Sequence, residues 1–221
     1  MTTRKVPTTE RRSARDRLLA AADELFYEGG IHSVGIDRVI ERAGVAKASL
    51  YDCFGSKDEL IRSYLQARHE ARKARLTAKL ARYDTPRERL LGVFDAMGEL
   101  MAEPNFRGCA FARAGAESRP GGGVKDACVD ARDWMLDLFI ELARDAGAQL
   151  PAELARQLVM LYDGASVAAQ MDGAAGMAAA ARAAAALLLE AAIEPAARSG
   201  KASAQPRRVA VRSKRTTTAA A

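Results

Sequence analysis

Apolar positions recur at three- and four-residue steps along most of the chain, and cap and turn residues fill the breaks between them. Leu18, Leu19, Ala22, Leu25 and Phe26 follow Ser13 in this pattern. They predict a capped amphipathic helix that ends at Gly29-Gly30, where a left-handed C-cap costs little. A short second helix fits residues 37–42, with Gly35 as its N-cap and Gly44 just past its end, and a third fits 46–54. Only Ala43-Gly44-Val45 separates these two, so they must turn sharply, as in a helix-turn-helix. Ser56-Lys57-Asp58-Glu59 reads as a capping box opening a long helix, with Leu60, Ile61, Tyr64, Leu65, Leu76 and Leu80 on its apolar side and an end near Asp84. Thr85-Pro86-Arg87-Glu88 is a second box, with Pro86 where its missing donor costs nothing, and it marks a new unit. Helices are then predicted at 86–102, 109–117, 124–146, 151–171 and 174–193, punctuated by Asn105, Pro120 with Gly121 to Gly123, Gly147, Pro151 and Gly173. The expectation is an all-α fold of about nine helices.

Composition supports that class. Ala and Leu are abundant, aromatic residues make up 5% of the 221 positions, and the summed propensities favour helix. The longest apolar stretch, 183–193, is too short for a membrane span and carries Glu190. Basic residues near the start have no apolar core behind them before Leu18, which argues against a secretory signal and for a cytoplasmic location. Cys53, Cys109 and Cys128 lack metal-ligand spacing and are expected to be reduced thiols. His32 and His69 are the two histidines, neither with metal spacing, and no nucleophile motif is present. Catalysis, a metal and a cofactor are therefore not expected.

Charge is unevenly placed. Residues 1–17 carry about six basic and two acidic groups, 61–83 about seven against one, and 196–221 about seven with no acid, whereas 84–195 is net negative. An acidic middle with basic flanks suits a protein that offers part of itself to a polyanion. Residues 1–12 read as a flexible basic arm and 196–221 as a disordered basic tail that adds phosphate contacts without sequence information.

The segments Ala20-Ala21-Ala22-Asp23-Glu24-Leu25-Phe26, Gly30-Ile31, Ile36-Asp37-Arg38-Val39-Ile40, Ala43-Gly44-Val45, Leu50-Tyr51, Phe54 and Ser56-Lys57-Asp58-Glu59-Leu60 together resemble the TetR family of transcription regulators. The resemblance implies a DNA-binding head over 13–60, a ligand-binding and dimerisation domain over 61–195, and a homodimer that reads an imperfect palindrome. It also implies a repressor released from its operator by a small effector. The Ala-rich final two helices are the expected dimer interface, because small side chains let helices approach closely. A nonspecific nucleoid-type binder is the alternative that the basic tail alone could serve.

The residues fit that role physically. Ala46, Lys47, Ala48 and Ser49 open the third helix, where small side chains let its N-terminal end approach base edges and Lys47 can reach guanine or a phosphate. Tyr51 can offer its hydroxyl to a phosphate, and Lys57 with the free amides of the fourth helix forms a second clamp. Gly35 belongs to the DNA-facing set but stands where the family often has a Thr that caps the second helix and touches phosphate. That contact is expected to be missing or made by Ser33. Asp52 and Cys53 replace a common basic residue and His, and Asp52 would repel phosphate unless Arg38 or Arg42 paired with it. Arg107-Gly108-Cys109-Ala110-Phe111 and Leu161-Tyr162-Asp163-Gly164-Ala165 look like segments of one branch of the family. Phe94, Met97, Met101, Phe111, Trp134, Leu138, Met160 and Tyr162 are expected to line a cavity for a mainly apolar or aromatic molecule. Cys109 follows Arg107 at a predicted helix start, which also allows a redox-sensing thiol.

Overall fold

A computed structural model describes residues 12–193; the basic arm, but for Arg12, and the basic tail lie outside the described residues. Among those described there are nine helices and no strand. Helix α1 spans Ala14–Gly29, α2 Ile36–Ala43, α3 Lys47–Phe54 and α4 Lys57–Leu80. They are followed by α5 Pro86–Met101, α6 Ala110–Glu117, α7 Gly123–Asp145, α8 Pro151–Asp172 and α9 Met177–Ile193.

The caps account for most of the boundaries. Ser13 accepts a hydrogen bond from the Asp16 amide at 3.1 Å, and Thr85 and Glu88 form a complete reciprocal box at the start of α5. At α4 only half of the expected box forms. Ser56 accepts from the Glu59 amide, but the Glu59 carboxylate is drawn to the Arg62 guanidinium at 3.1 Å. Gly30 has φ 86° and ψ 155°, so the turn after α1 needs glycine but is not the left-handed cap expected there. Gly44, at φ 61° and ψ 45°, does take the left-handed conformation and reverses the chain between α2 and α3.

Two apolar clusters organise the chain. In the first, Leu18, Ala22 and Phe26 of α1 close on Val39, Leu50, Leu60, Tyr64 and Leu65. This cluster also takes in Ala110 and Ala114 of α6 and Val124 and Cys128 of α7, so α6 packs directly against the head. The second joins Leu76 and Leu80 of α4 to Leu90, Phe94 and Met97 of α5, Phe139 of α7, Leu158 of α8 and Leu189 of α9. Helix α4 runs through both. No described helix is long and apolar enough to cross a membrane.

Candidate functional site

The head presents α3 to solvent by burying one side of it. Leu50 and Phe54 are buried, which leaves Ala46, Lys47, Ala48 and Tyr51 exposed and Ser49 half-buried on the opposite side. The turn that aims α3 is fastened from α1: the Arg17 guanidinium donates to the Ala43 and Gly44 carbonyls at 3.3 and 3.0 Å, two acceptors left free at the end of α2. Lys47 Nζ lies 3.1 Å from Asp37 Oδ1, and that bond raises the lysine's pKa, so a phosphate would have to take the ammonium over from Asp37. Lys57 is half-buried, with Nζ 6.0 Å from the Phe26 ring centre, at the start of α4. Gly35 is exposed, and a Cβ built there would meet nothing within 4 Å, so the missing Thr is not a matter of space. Among the described residues Asp52 forms an ion pair with neither Arg38 nor Arg42, and the Arg42 guanidinium is held instead by Glu24 on α1 at 2.7 Å.

Helix α4 offers less cationic surface than its composition suggests. Arg68 chelates Asp23 through Nε and Nη2 at 2.6 and 3.1 Å while its guanidinium lies 3.7 Å from the Tyr27 ring centre. Lys73 pairs with Glu70, and Lys79 with Glu99 of α5. Arg72 points inward, under Phe111 and Trp134.

A cavity of about 370 Å³ lies between α4, α6, α7 and α8. Of the residues expected to line a pocket, Phe111 and Tyr162 are on its wall. Phe94, Met97 and Met101 are buried in the second apolar cluster, Trp134 and Leu138 pack against it half-buried, and Met160 is exposed on α8. The remaining apolar wall comes from residues such as Met135, Val159 and Val129, and its cations from Arg72, Arg113, Lys125 and Arg132. The sequence did carry a signal for Arg72. The apolar stripe of α4 breaks between Leu65 and Leu76, and Arg68, His69 and Arg72 occupy the missing turns at the same spacing.

Burial pushes the Tyr162 phenol up to about 12 and the Cys128 thiol up to about 11, so both stay protonated at neutral pH. His69 faces Phe111 and Trp134 edge-on, and burial, with Arg72 and Lys73 adding repulsion, lowers its pKa to about 4. Its Nδ1 is therefore a neutral acceptor for Arg72 Nη2 at 3.1 Å. Cys109 lines the cavity half-buried, at the N-cap of α6.

The wall of this cavity is tied to the head. Tyr27 Oη, at the end of α1, donates to the Gly108 carbonyl at 3.0 Å and accepts from the Arg107 amide at 2.9 Å. Arg113, a wall residue of α6, donates to the Tyr27 carbonyl at 2.6 Å. At the far end of α6, Glu117 accepts from the His32 amide at 2.9 Å through its carboxylate.

Comparison with known proteins places these features. The profile described as "Bacterial regulatory proteins, tetR family" matches residues 18–64, the span of α1 to α4 that builds and aims α3. The chain is similar to SCO4454, a TetR-family transcriptional regulator from Streptomyces coelicolor. Identity is 35%, coverage 82% of this chain and 96% of that one, and the TM-score 0.78. A TetR-type regulator from Streptomyces avermitilis is 33% identical at a TM-score of 0.73, over 82% of this chain and 98% of that one. The HTH-type transcriptional activator FasR of Mycolicibacterium smegmatis is 31% identical over 162 residues, 71% of this chain and 68% of its own length.

Proposed function

The chain belongs to the TetR family of transcription regulators and binds DNA through its helix-turn-helix, and from that premise we propose that it is a homodimeric repressor which a small effector releases from a palindromic operator. The observation that carries this reading is the juxtaposition of an exposed, small-residue start to α3 with an effector-sized cavity whose wall is hydrogen-bonded to α1. Ala46, Lys47, Ala48 and Ser49 enter the major groove, Tyr51 and Lys57 hold flanking phosphates, and two heads read half-sites about one helical turn, or a small multiple, apart.

The second head comes from a second copy. Met160, Val167 and Met171 form a stripe along α8, with Gly164 between them, and Leu187 stands out from α9; each of the four large side chains is half exposed or more. An apolar stripe of this kind with small residues beside it suits a four-helix contact between two subunits. We prefer repression because a dimer seated on a promoter excludes polymerase by occupancy alone, whereas activation needs a further contact surface. An effector in the cavity acts on the head through Arg113 and through the Tyr27 contacts to 107–108, shifting the population toward a head separation that no longer fits the operator.

Competition binding tests this. The wild type should hold its operator against excess random duplex, and Lys47→Ala and Tyr51→Phe should each weaken operator binding by roughly fivefold or more with unchanged helix content. Wild-type affinity in both variants would remove α3 from the interface. Equal competition by random duplex would favour a nonspecific binder.

A further inference from the structure

The cavity wall is apolar over most of its area but strongly cationic in charge: Arg72, Arg113, Lys125 and Arg132 line it against a single carboxylate, Asp163. Arg132 and Asp163 pair with each other. Arg113 and Lys125 donate to the backbone carbonyls of Tyr27 and Gly115 at 2.6 and 3.3 Å, which satisfies donors without cancelling charge. Arg72 is the least compensated. Its guanidinium lies 4.5 Å from the Phe111 ring centre and 5.5 Å from that of Trp134, and its Nη2 donates to the Ala131 carbonyl at 2.5 Å. Its Nε is buried without a partner, and no ion pair of Arg72 exists among the described residues. A partly buried guanidinium that lines a void, with aromatic faces but no counter-charge, is a cation awaiting an anion.

We propose, building on the reading of this cavity as the effector site, that the effector is an organic anion: a carboxylate or phosphate ester on a small aromatic or branched apolar body, its charged head paired with Arg72. The head would accept charge-assisted hydrogen bonds from the guanidinium, while the body fills the space between Phe111, Met135, Val159 and Tyr162. At about 370 Å³ the cavity is at the small end of ligand pockets, which favours a single ring or a short branched chain over a larger cofactor-like molecule.

Trp134 is the chain's one tryptophan and sits beside Arg72, so its fluorescence reports on the site. The probes are benzoate, phenylacetate and phenyl phosphate, each beside a neutral counterpart (benzamide, phenylacetamide, phenol), titrated into the full-length protein at fixed ionic strength. Thermal melting provides the second readout. At least one anion should perturb Trp134 and raise the melting temperature, binding about tenfold or more tightly than its neutral counterpart. Arg72→Met should abolish that preference and Arg72→Lys should keep part of it. Should Arg72→Met fail to fold, the wild-type anion-to-neutral ratio and Arg72→Lys still decide. Neutral probes binding as well as anions, or no anion binding at all, would overturn the assignment. Val129→Phe, which adds bulk at an exposed wall position, separates this failure from failure of the underlying reading. Binding blocked by Val129→Phe but indifferent to charge and to Arg72 removes only the anion; binding untouched by Val129→Phe removes the cavity as the effector site as well.

Discussion

Replacing Tyr27 with Phe removes one oxygen atom from the junction between head and cavity, and its cost can be worked from the contacts. The hydroxyl donates to the Gly108 carbonyl in a buried bond of 3.0 Å and accepts from the partly buried Arg107 amide at 2.9 Å. The ring itself stays where it is, under the Arg68 guanidinium at 3.7 Å, so packing is conserved. Gly108, at φ +84°, sits close against the Gln170 side chain. The buried carbonyl is then left unpaired, at about 1 to 3 kcal/mol, and the Arg107 amide, which water can reach, adds about 0.5 to 1 kcal/mol. The expected loss is about 1.5 to 4 kcal/mol, or roughly 3 to 16 °C in melting temperature for a chain of this size. Chemical denaturation of wild type and variant at equal protein concentration measures it, since dimer stability depends on concentration. Hydrogen exchange should also quicken in the segment between α5 and α6 ahead of the rest of the chain. A loss below about 0.5 kcal/mol, with unchanged exchange there, would mean that the hydroxyl does not fasten the cavity wall to the head.

Two further predictions rest on single residues. Gly35→Thr places a capping oxygen at a position with extended φ −74°, ψ 154° and open space around the new Cβ. It should stabilise the chain by about 1 kcal/mol through the cap and a less flexible unfolded state, and it should tighten operator binding; a lower melting temperature would contradict this. His69, lowered to about 4 in the folded chain by burial and by Arg72 and Lys73, against the attraction of Glu70 and Asp130, binds its proton more readily when unfolded. The stability it contributes is fully present above the unfolded value of about 6.5 and is lost as the pH falls toward 4. His69→Gln should flatten the melting temperature between neutral pH and about pH 5 relative to wild type, above the range where most carboxylates titrate, and identical slopes would refute it.

The helices were legible because their ends are chemically marked. Ser13, Thr85 with Glu88, Pro86 and Gly44 all act as their residue types predict. The misses are local competitions. Helix α4 stops at Leu80 rather than near Asp84, and Tyr83 is held in the turn beyond it, where its hydroxyl bonds Asp95 and its carbonyl accepts from Arg89. Helix α9 begins only at Met177, because Gly173 and Gly176 both take positive φ. The exposed face of α3 was equally visible, since the alternation of Leu50 and Phe54 with small and polar neighbours assigns its two sides. The cavity was much less so. Periodicity says that Phe94, Met97 and Met101 face inward, but not whether they meet other side chains or a void; that depends on how α4, α6, α7 and α8 pack at long range. The basic run of α4 likewise conceals which cations are spent on Asp23, Glu70 and Glu99 and which one faces the cavity.

Sequence-specific reading by α3 of a dimer is open to test by selection from a pool of random duplexes. Rounds of binding by the full-length protein, followed by sequencing, should enrich one motif with two inverted half-sites about one helical turn, or a small multiple, apart, and Lys47→Ala should reduce that enrichment. A pool that stays random while still being retained by the protein would rule out base reading by α3, because binding would then come from phosphate contacts alone.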